Sequence, residues 1–337
     1  MSELVLGEGE FRFRLVEGWP RVPEGVDQRA IGGIAVDSQD NVHLAARTLP
    51  QNQVMVYSPK GDFIRSWGAG LLQHAHGLRI INDVAYLTDL KRHQVLVCSL
   101  EGELLLTLGS GQPSDTGYIE EAEDNLKTIR AGAGPFNMPT QAMPTSAGEI
   151  MVSDGYGNAR VHRFSRSGEL ISSWGAPGSA PGQFNLVHSL WVDDADRVYV
   201  CDRENDRIQI FDVDGTLLEI WPDIPRPADL YFDGDGHWYI GELFLRAGHV
   251  RFSGDVDSVS RPSKVSVRDL HGHELASFGG EDRLAPGNFA SAHGLCLDSK
   301  GNLYVGEVTA ATLSARNNGG VDEYRPGMKT AQKFERI

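Results

Sequence analysis

Histidine occupies positions 76, 188 and 293, spaced 112 and 105 residues apart. A neutral imidazole is a ligand for zinc and for other divalent ions that accept nitrogen donors. Three of them converging with a fourth position open make the usual arrangement of a catalytic zinc. Arg47 and Arg203 add two guanidinium forks, whose geometry suits a carboxylate or a polarised carbonyl. Spacing alone is equally consistent with arginines that are solvated or paired to aspartate. Tyr156, in the segment SDGYGN, adds a phenol. Beside a metal a phenol can take or return a proton, and elsewhere it packs.

These residues need a scaffold that brings distant positions together, and a repeat supplies one. A short apolar strand ending in Asp is followed by a turn, then a second strand ending in an acidic residue. The copies are IGGIAVDSQDNVHLAAR (31–47), HGLRIINDVAYLTDL (76–90), PTQAMPTSAGEIMVSDG (139–155), HSLWVDDADRVYVCDR (188–203), PADLYFDGDGHWYIGEL (227–243) and HGLCLDSKGNLYVGEV (293–308). Their continuations, from QVMVYSPKGDFIRSWG to VDEYRPGMKTAQKFERI, each predict two further strands around a turn such as PKGD, RSGE or VDGT. Four short strands per unit, repeated six times, predict an all-β six-bladed β-propeller with four-stranded blades around a central channel; a solenoid is the alternative. The expected domain is single and spans residues 1–337, with FRFRLVEGWP at the N-terminus pairing with the last blade to close the ring.

Aligning the first strands places Gly32, His76, Thr140, His188, Ala228 and His293 at one position. Histidine therefore falls on blades two, four and six. A lone channel histidine is ordinarily a hydrogen-bonded structural residue, but three at one shared position near the axis predict a metal centre. Small residues at Gly32 and Ala228 leave room for an ion and its ligand. The end of the second strand aligns Arg47, Leu90, Gly155, Arg203, Leu243 and Val308, so the two arginines fall on blades one and four. Residues 110–138, 244–263 and 309–320 depart from the repeat; long loops of this kind either line a binding site or decorate the surface.

Composition narrows the partners. A formal net charge of −15 with no Lys/Arg run argues against nucleic acid. No stretch is long and apolar enough for a membrane span, and the N-terminus lacks the pattern of a secretion signal. Cys98, Cys201 and Cys296 each lie in a strand-like run without CxxC spacing, which predicts reduced core residues and a cytoplasmic protein acting on a small molecule.

From about residue 31 to 308 the chain resembles the catalytic core of peptidyl-α-hydroxyglycine α-amidating lyase, an NHL-repeat six-bladed propeller. The most specific stretches are HGL (76–78), TDLKRHQV (88–95), VSDGYGNARVHRFSRSGELISSWG (152–175), PGQFNLVHSL (181–190) and DRENDRIQIF (202–211). The resemblance implies zinc on His76, His188 and His293, a catalytic role for Tyr156, and Arg47 and Arg203 near the substrate. It further implies cleavage of the C–N bond of an N-acyl carbinolamine to an amide and an aldehyde. Ser291 and Gly294 stand where that family has a methionine and an aspartate; the aspartate helps hold a structural calcium, which is therefore not expected here. Gly157 stands where one of its paired cysteines belongs. Two other readings fit the same residues: a zinc amide hydrolase using metal-bound water, and a non-catalytic NHL interaction propeller.

Overall fold

A computed structural model of the chain describes residues 3–248, 256–314 and 322–337. The fold is a six-bladed β-propeller of antiparallel, four-stranded blades, with almost no helix. Five blades are built from consecutive strands, as in blade four: Val187–Val192, Val198–Asp202, Arg207–Phe211 and Leu217–Trp221. The first two strands of that blade are buried throughout, whereas the last is mostly accessible. A strand covered on both faces needs a near-continuous apolar run, and an outer strand does not. Composition does not separate them here, since LLEIW is as apolar as VHSLWV and VYVCD; position in the blade decides the burial.

The strands gather into two compact units. One comprises Met1–Ala75, Leu230–Leu245 and Arg261–Ile337; the other comprises His76–Asp229 and Arg246–Ser260. In the first unit, blade six differs from the expected build. Residues 322–330 contain no strand, so the C-terminal segment supplies only Ala331–Arg336. Phe11–Val16 takes the fourth place, pairing antiparallel with Ala331–Arg336 so that Phe13 faces Arg336 and Val16 faces Lys333. Val5–Glu8 adds a fifth strand outside it. Packing explains the choice. The Phe13 ring lies 5.7 Å from that of Phe278, which in turn meets Phe334 at 5.2 Å and Phe289 at 5.9 Å. Burying one such side chain contributes about 1.5–3 kcal/mol.

Of the departures from the repeat, residues 110–138 are irregular apart from the 3-10 turn Asn125–Thr128. The segment 309–320 begins with the short helix Thr309–Thr312, and its residues 315–320 lie outside the described residues, as do 249–255 of the 244–263 segment. Cys98, Cys201 and Cys296 are buried thiols outside any disulfide. Among the described residues no helix is long and apolar enough to cross a membrane.

The acidic residue ending the second strand is a fastener. Asp89, Asp154, Asp202, Glu242 and Glu307 are all buried. Asp154 accepts the Asn137 N–H at 2.9 Å, Asp202 that of Asn185 at 2.7 Å, and Glu307 that of Ala290 at 2.7 Å. Each bond ties the loop entering a first strand to the second strand of its own blade. Burial pushes the Glu307 carboxyl up to about 7, against the pull of Lys329 and of the Ala290 and Ser291 N–H groups. A carboxyl with a higher pKa folded than unfolded adds stability that is complete below its unfolded value of about 4.3 and is lost as pH rises through the folded value. Thermal scans between pH 4 and 8 should therefore show the wild-type Tm falling more steeply with rising pH than that of Glu307→Gln. Parallel curves for the two proteins would mean that Glu307 ionises as an ordinary carboxyl.

Candidate metal centre

His76, His188 and His293 are each the second residue of a first strand, in Ala75–Ile81, Val187–Val192 and Ala292–Leu297. At this position the ladder slips. Pairing with the second strand jumps between Val187 and Ser189 and between Ala292 and Gly294. The same slip occurs between Ile31 and Gly33 and between Pro139 and Gln141, around Gly32 and Thr140. A bulge leaves one residue out of the ladder and re-aims its side chain. The bulged residue is the aligned one, which is how a strand otherwise committed to packing releases an imidazole.

Each ring is then anchored in the same way. Nδ1 of His76 lies 2.8 Å from the Thr140 carbonyl oxygen, Nδ1 of His188 lies 2.6 Å from that of Ala228, and Nδ1 of His293 lies 2.8 Å from that of Gly32. The three acceptors are the aligned residues of the blades without histidine. A carbonyl oxygen only accepts, so each Nδ1 carries the proton and each neutral ring is left with its lone pair on Nε2. All three histidines are buried, and their ligand atoms lie within 4.8 Å of one another. The cluster could hold a metal ion.

The residue after His76 matters for this anchoring. A Cβ at Gly77 would lie 2.3 Å from the Thr140 oxygen, the atom that orients His76. Glycine is required there by the close approach of the neighbouring backbone.

The Tyr156 hydroxyl lies 3.1 Å from Nε2 of His188 and 3.4 Å from Nε2 of His76. With both nitrogens acting as acceptors, the phenol is a donor to this pair. Arg203 directs Nη1 to the same oxygen at 3.4 Å, with its guanidinium carbon 5.6 Å from the centre of the Tyr156 ring. Its Nε is bound to Glu204 at 2.7 Å, and Glu204 also receives Arg226 at 2.8 Å. Of the two readings open for Arg203, the acid-paired one describes this edge, with Glu204 rather than an aspartate as partner. Burial works to lower the Arg203 pKa, but Glu204, through its charge and hydrogen bond, and the contact with the Tyr156 oxygen outweigh it and leave it above the ordinary value. Arg47, in the strand Val42–Leu49, donates Nε to the carbonyl of Ala75 at 2.9 Å, the residue before His76.

Other groups in this region escape a reading of sequence. Arg79 grips Asp229 through two nitrogens, at 2.6 and 3.2 Å, and Ser189 donates to the same carboxylate at 2.7 Å. The Arg79 guanidinium also lies 5.1 Å from the Trp191 ring centre. Ser189 follows His188, and Asp229 follows the Ala228 whose carbonyl orients His188. The available signal was a charged residue inside each otherwise apolar first strand, Arg79 in HGLRII and Asp229 in PADLYF. Glu204 and Arg226 left no periodic signal.

The NHL repeat family matches residues 184–211, the span of blade four that contains His188 and Arg203. NHL repeat-containing protein 3 of Homo sapiens is 29% identical over 315 residues, covering 88% of this chain and 82% of its own. Peptidyl-alpha-hydroxyglycine alpha-amidating lyase 1 of Drosophila melanogaster is 33% identical over 156 residues, covering 43% of this chain; the chain spans only 26% of that protein's length. Among solved structures, virginiamycin B lyase of Staphylococcus aureus superposes with a TM-score of 0.58 at 13% identity, covering 96% of this chain and 100% of that one, a likeness of fold. The repeat, the blades and these relatives agree: the chain is a six-bladed β-propeller that carries an NHL repeat at residues 184–211 and is similar in part to amidating lyases.

Proposed function

We propose that the chain is a zinc-dependent lyase that splits the C–N bond of a small N-acyl carbinolamine into an amide and an aldehyde. The observation that carries this reading is the set of three buried imidazoles, each fixed at Nδ1 with its Nε2 lone pair turned to a common space. That donor set fits zinc. Two nitrogens each ~2.0–2.1 Å from a tetrahedral zinc stand about 3.3 Å apart, a small closure from a cluster that already lies within 4.8 Å. His76, His188 and His293 would hold the ion. When bound, it supplies Lewis acidity to the substrate hydroxyl oxygen.

The remaining chemistry belongs to the chain. In R–CO–NH–CH(OH)–R′ the hydroxyl proton leaves, the C–N bond breaks with its electron pair going to nitrogen, the C–O bond becomes a carbonyl, and nitrogen gains a proton. The products, R–CO–NH2 and R′–CHO, balance without an oxidant or reductant. Tyr156 is the group placed to carry the proton from oxygen to nitrogen, because its hydroxyl already touches two of the three donor nitrogens. Arg203 donates to the phenol oxygen, an interaction that strengthens when that oxygen carries negative charge. Arg47 is assigned to a carboxylate on the substrate.

Several measurements bear on this reading. Purified protein should carry about one divalent ion per chain, lost in His188→Ala. Gly77→Ala should weaken metal binding by roughly 10- to 100-fold without removing a ligand, as loss of an orienting partner does. Tyr156→Phe should keep the metal and lower kcat by about 100-fold or more, while Arg47→Ala should mainly raise KM. Product analysis on an N-acyl carbinolamine should give amide and aldehyde. Carboxylate and amine would instead establish the hydrolase, and protein with no stoichiometric metal would leave the interaction propeller.

A further inference from the structure

We infer that the 110–138 insertion is a clamp that positions Tyr156, with Thr116 and Asn137 as its positioning residues; the catalytic consequence rests on the role proposed for Tyr156 above. Tyr156 stands between Gly155 and Gly157, on the connection from the strand Ile150–Asp154 to the strand Arg160–Phe164. Neither glycine has a positive φ. Space is what requires them. A Cβ at Gly155 would meet the Val187 oxygen at 2.0 Å and the Val187 nitrogen at 2.5 Å, and Val187 is the residue before His188. A Cβ at Gly157 would meet Oδ1 of Asn137 at 2.2 Å. The tyrosine is thus wedged between the strand that carries a site histidine and the end of the insertion.

Hydrogen bonds make the wedge directional. Thr116 Oγ1 donates to the Gly157 carbonyl at 2.6 Å, and the Gly157 N–H donates to the Asn137 carbonyl at 3.0 Å. Asn158 exchanges two bonds with Ala133, at 3.0 and 3.2 Å. Asn137 is itself held: its N–H reaches both oxygens of Asp154, and its Nδ2 reaches Ser114 and Thr116. Thr116, Asn137 and Asn158 are 2%, 5% and 0% exposed. A surface decoration has no need of two buried polar side chains facing one turn and a third, Asn158, facing back from it, and burying them unpaired would cost free energy. The phenol oxygen stands beside the two Nε2 atoms that would hold the ion, so a displacement of about 1 Å carries it away from the reacting group, a misplacement of the size that costs catalysis roughly 100-fold.

The test compares Thr116→Val, which keeps shape and removes the donor, with Thr116→Ser, which restores it. The zinc-loaded protein is labelled with 3-fluorotyrosine, and the 19F line of Tyr156 is assigned by its disappearance in Tyr156→Phe. Thr116→Val is expected to shift and broaden that line, leave the lines of tyrosines other than Tyr156 and the neighbouring Tyr118, whose N–H also reaches Thr116 Oγ1, in place, keep zinc stoichiometry, and lower kcat on N-benzoyl-α-hydroxyglycine by roughly 10- to 100-fold with little change in KM. Thr116→Ser is expected to return both readouts toward wild type. If Thr116→Val does not fold, Thr116→Ala serves the same comparison. An unmoved Tyr156 line in the donor-less variant overturns the clamp, as does a Thr116→Ser variant impaired to the same degree. Wild-type turnover in Tyr156→Phe would instead remove the role of Tyr156, and the 19F result would still decide the clamp.

Discussion

The candidate centre depends on one repeated interaction, the hydrogen bond from a histidine Nδ1 to the backbone carbonyl at the aligned position of another blade. It settles the tautomer, and through the tautomer it makes Nε2 the nitrogen that bears the lone pair. Each histidine needs an acceptor, and the acceptor is a main-chain oxygen that any residue type supplies, so the side chains at Gly32, Thr140 and Ala228 are set by the space the imidazoles need. Glycine or alanine at the accepting position keeps that space open, and the Thr140 hydroxyl is occupied elsewhere, donating to the Val187 carbonyl at 2.8 Å.

Main-chain acceptors are only as well placed as the strands they belong to, so the buried carboxylates of the second strands act on the site at one remove. Asp202 binds the N–H of Asn185, three residues before His188, and Glu307 binds that of Ala290, three before His293. Leaving such an N–H unpaired in the interior would cost roughly 1–3 kcal/mol. The Arg79–Asp229–Ser189 group adds a second restraint beside His188 and its acceptor. A buried ion pair gains little net stability against apolar packing. Its effect here is to fix direction, because the bidentate grip of Arg79 holds Asp229 in one orientation and Ser189 to it.

The parts of the molecule written in local patterns were legible in the sequence. Strand alternation, turn residues and the recurring terminal acid repeat with a fixed period, so the blade count and the shared position of Gly32, His76, Thr140, His188, Ala228 and His293 could be read by alignment alone. Contacts between residues that share no period were not. Nothing in DRENDR says that Glu204 folds back onto Arg203 rather than facing water, and nothing in the spacing of Arg47 says that its Nε ends on the Ala75 carbonyl. Blade six was half legible: the N-terminal strand looked like a fourth strand, but the C-terminal segment also looked long enough for two. The aromatic contacts around Phe13 and Phe334 decide that competition, and they are tertiary.

Close backbone approach links the site histidines to the tyrosine. Gly77, Gly155 and Gly157 all lie where a Cβ would fall 2.0–2.3 Å from a neighbouring oxygen. In each case that oxygen, or the residue bearing it, belongs to the machinery: the acceptor of His76, the residue before His188, and Asn137 beside the tyrosine. Where the resembling family places a cysteine, Gly157 therefore leaves no room for a sulfur without moving Asn137. A covalent tether, which the resemblance implies for that family, and this hydrogen-bonded wedge answer one constraint, that a phenol beside two buried imidazoles keep its place. The wedge needs no oxidised thiol pair, and the three cysteines, buried in the strands outside any disulfide, take no part in it.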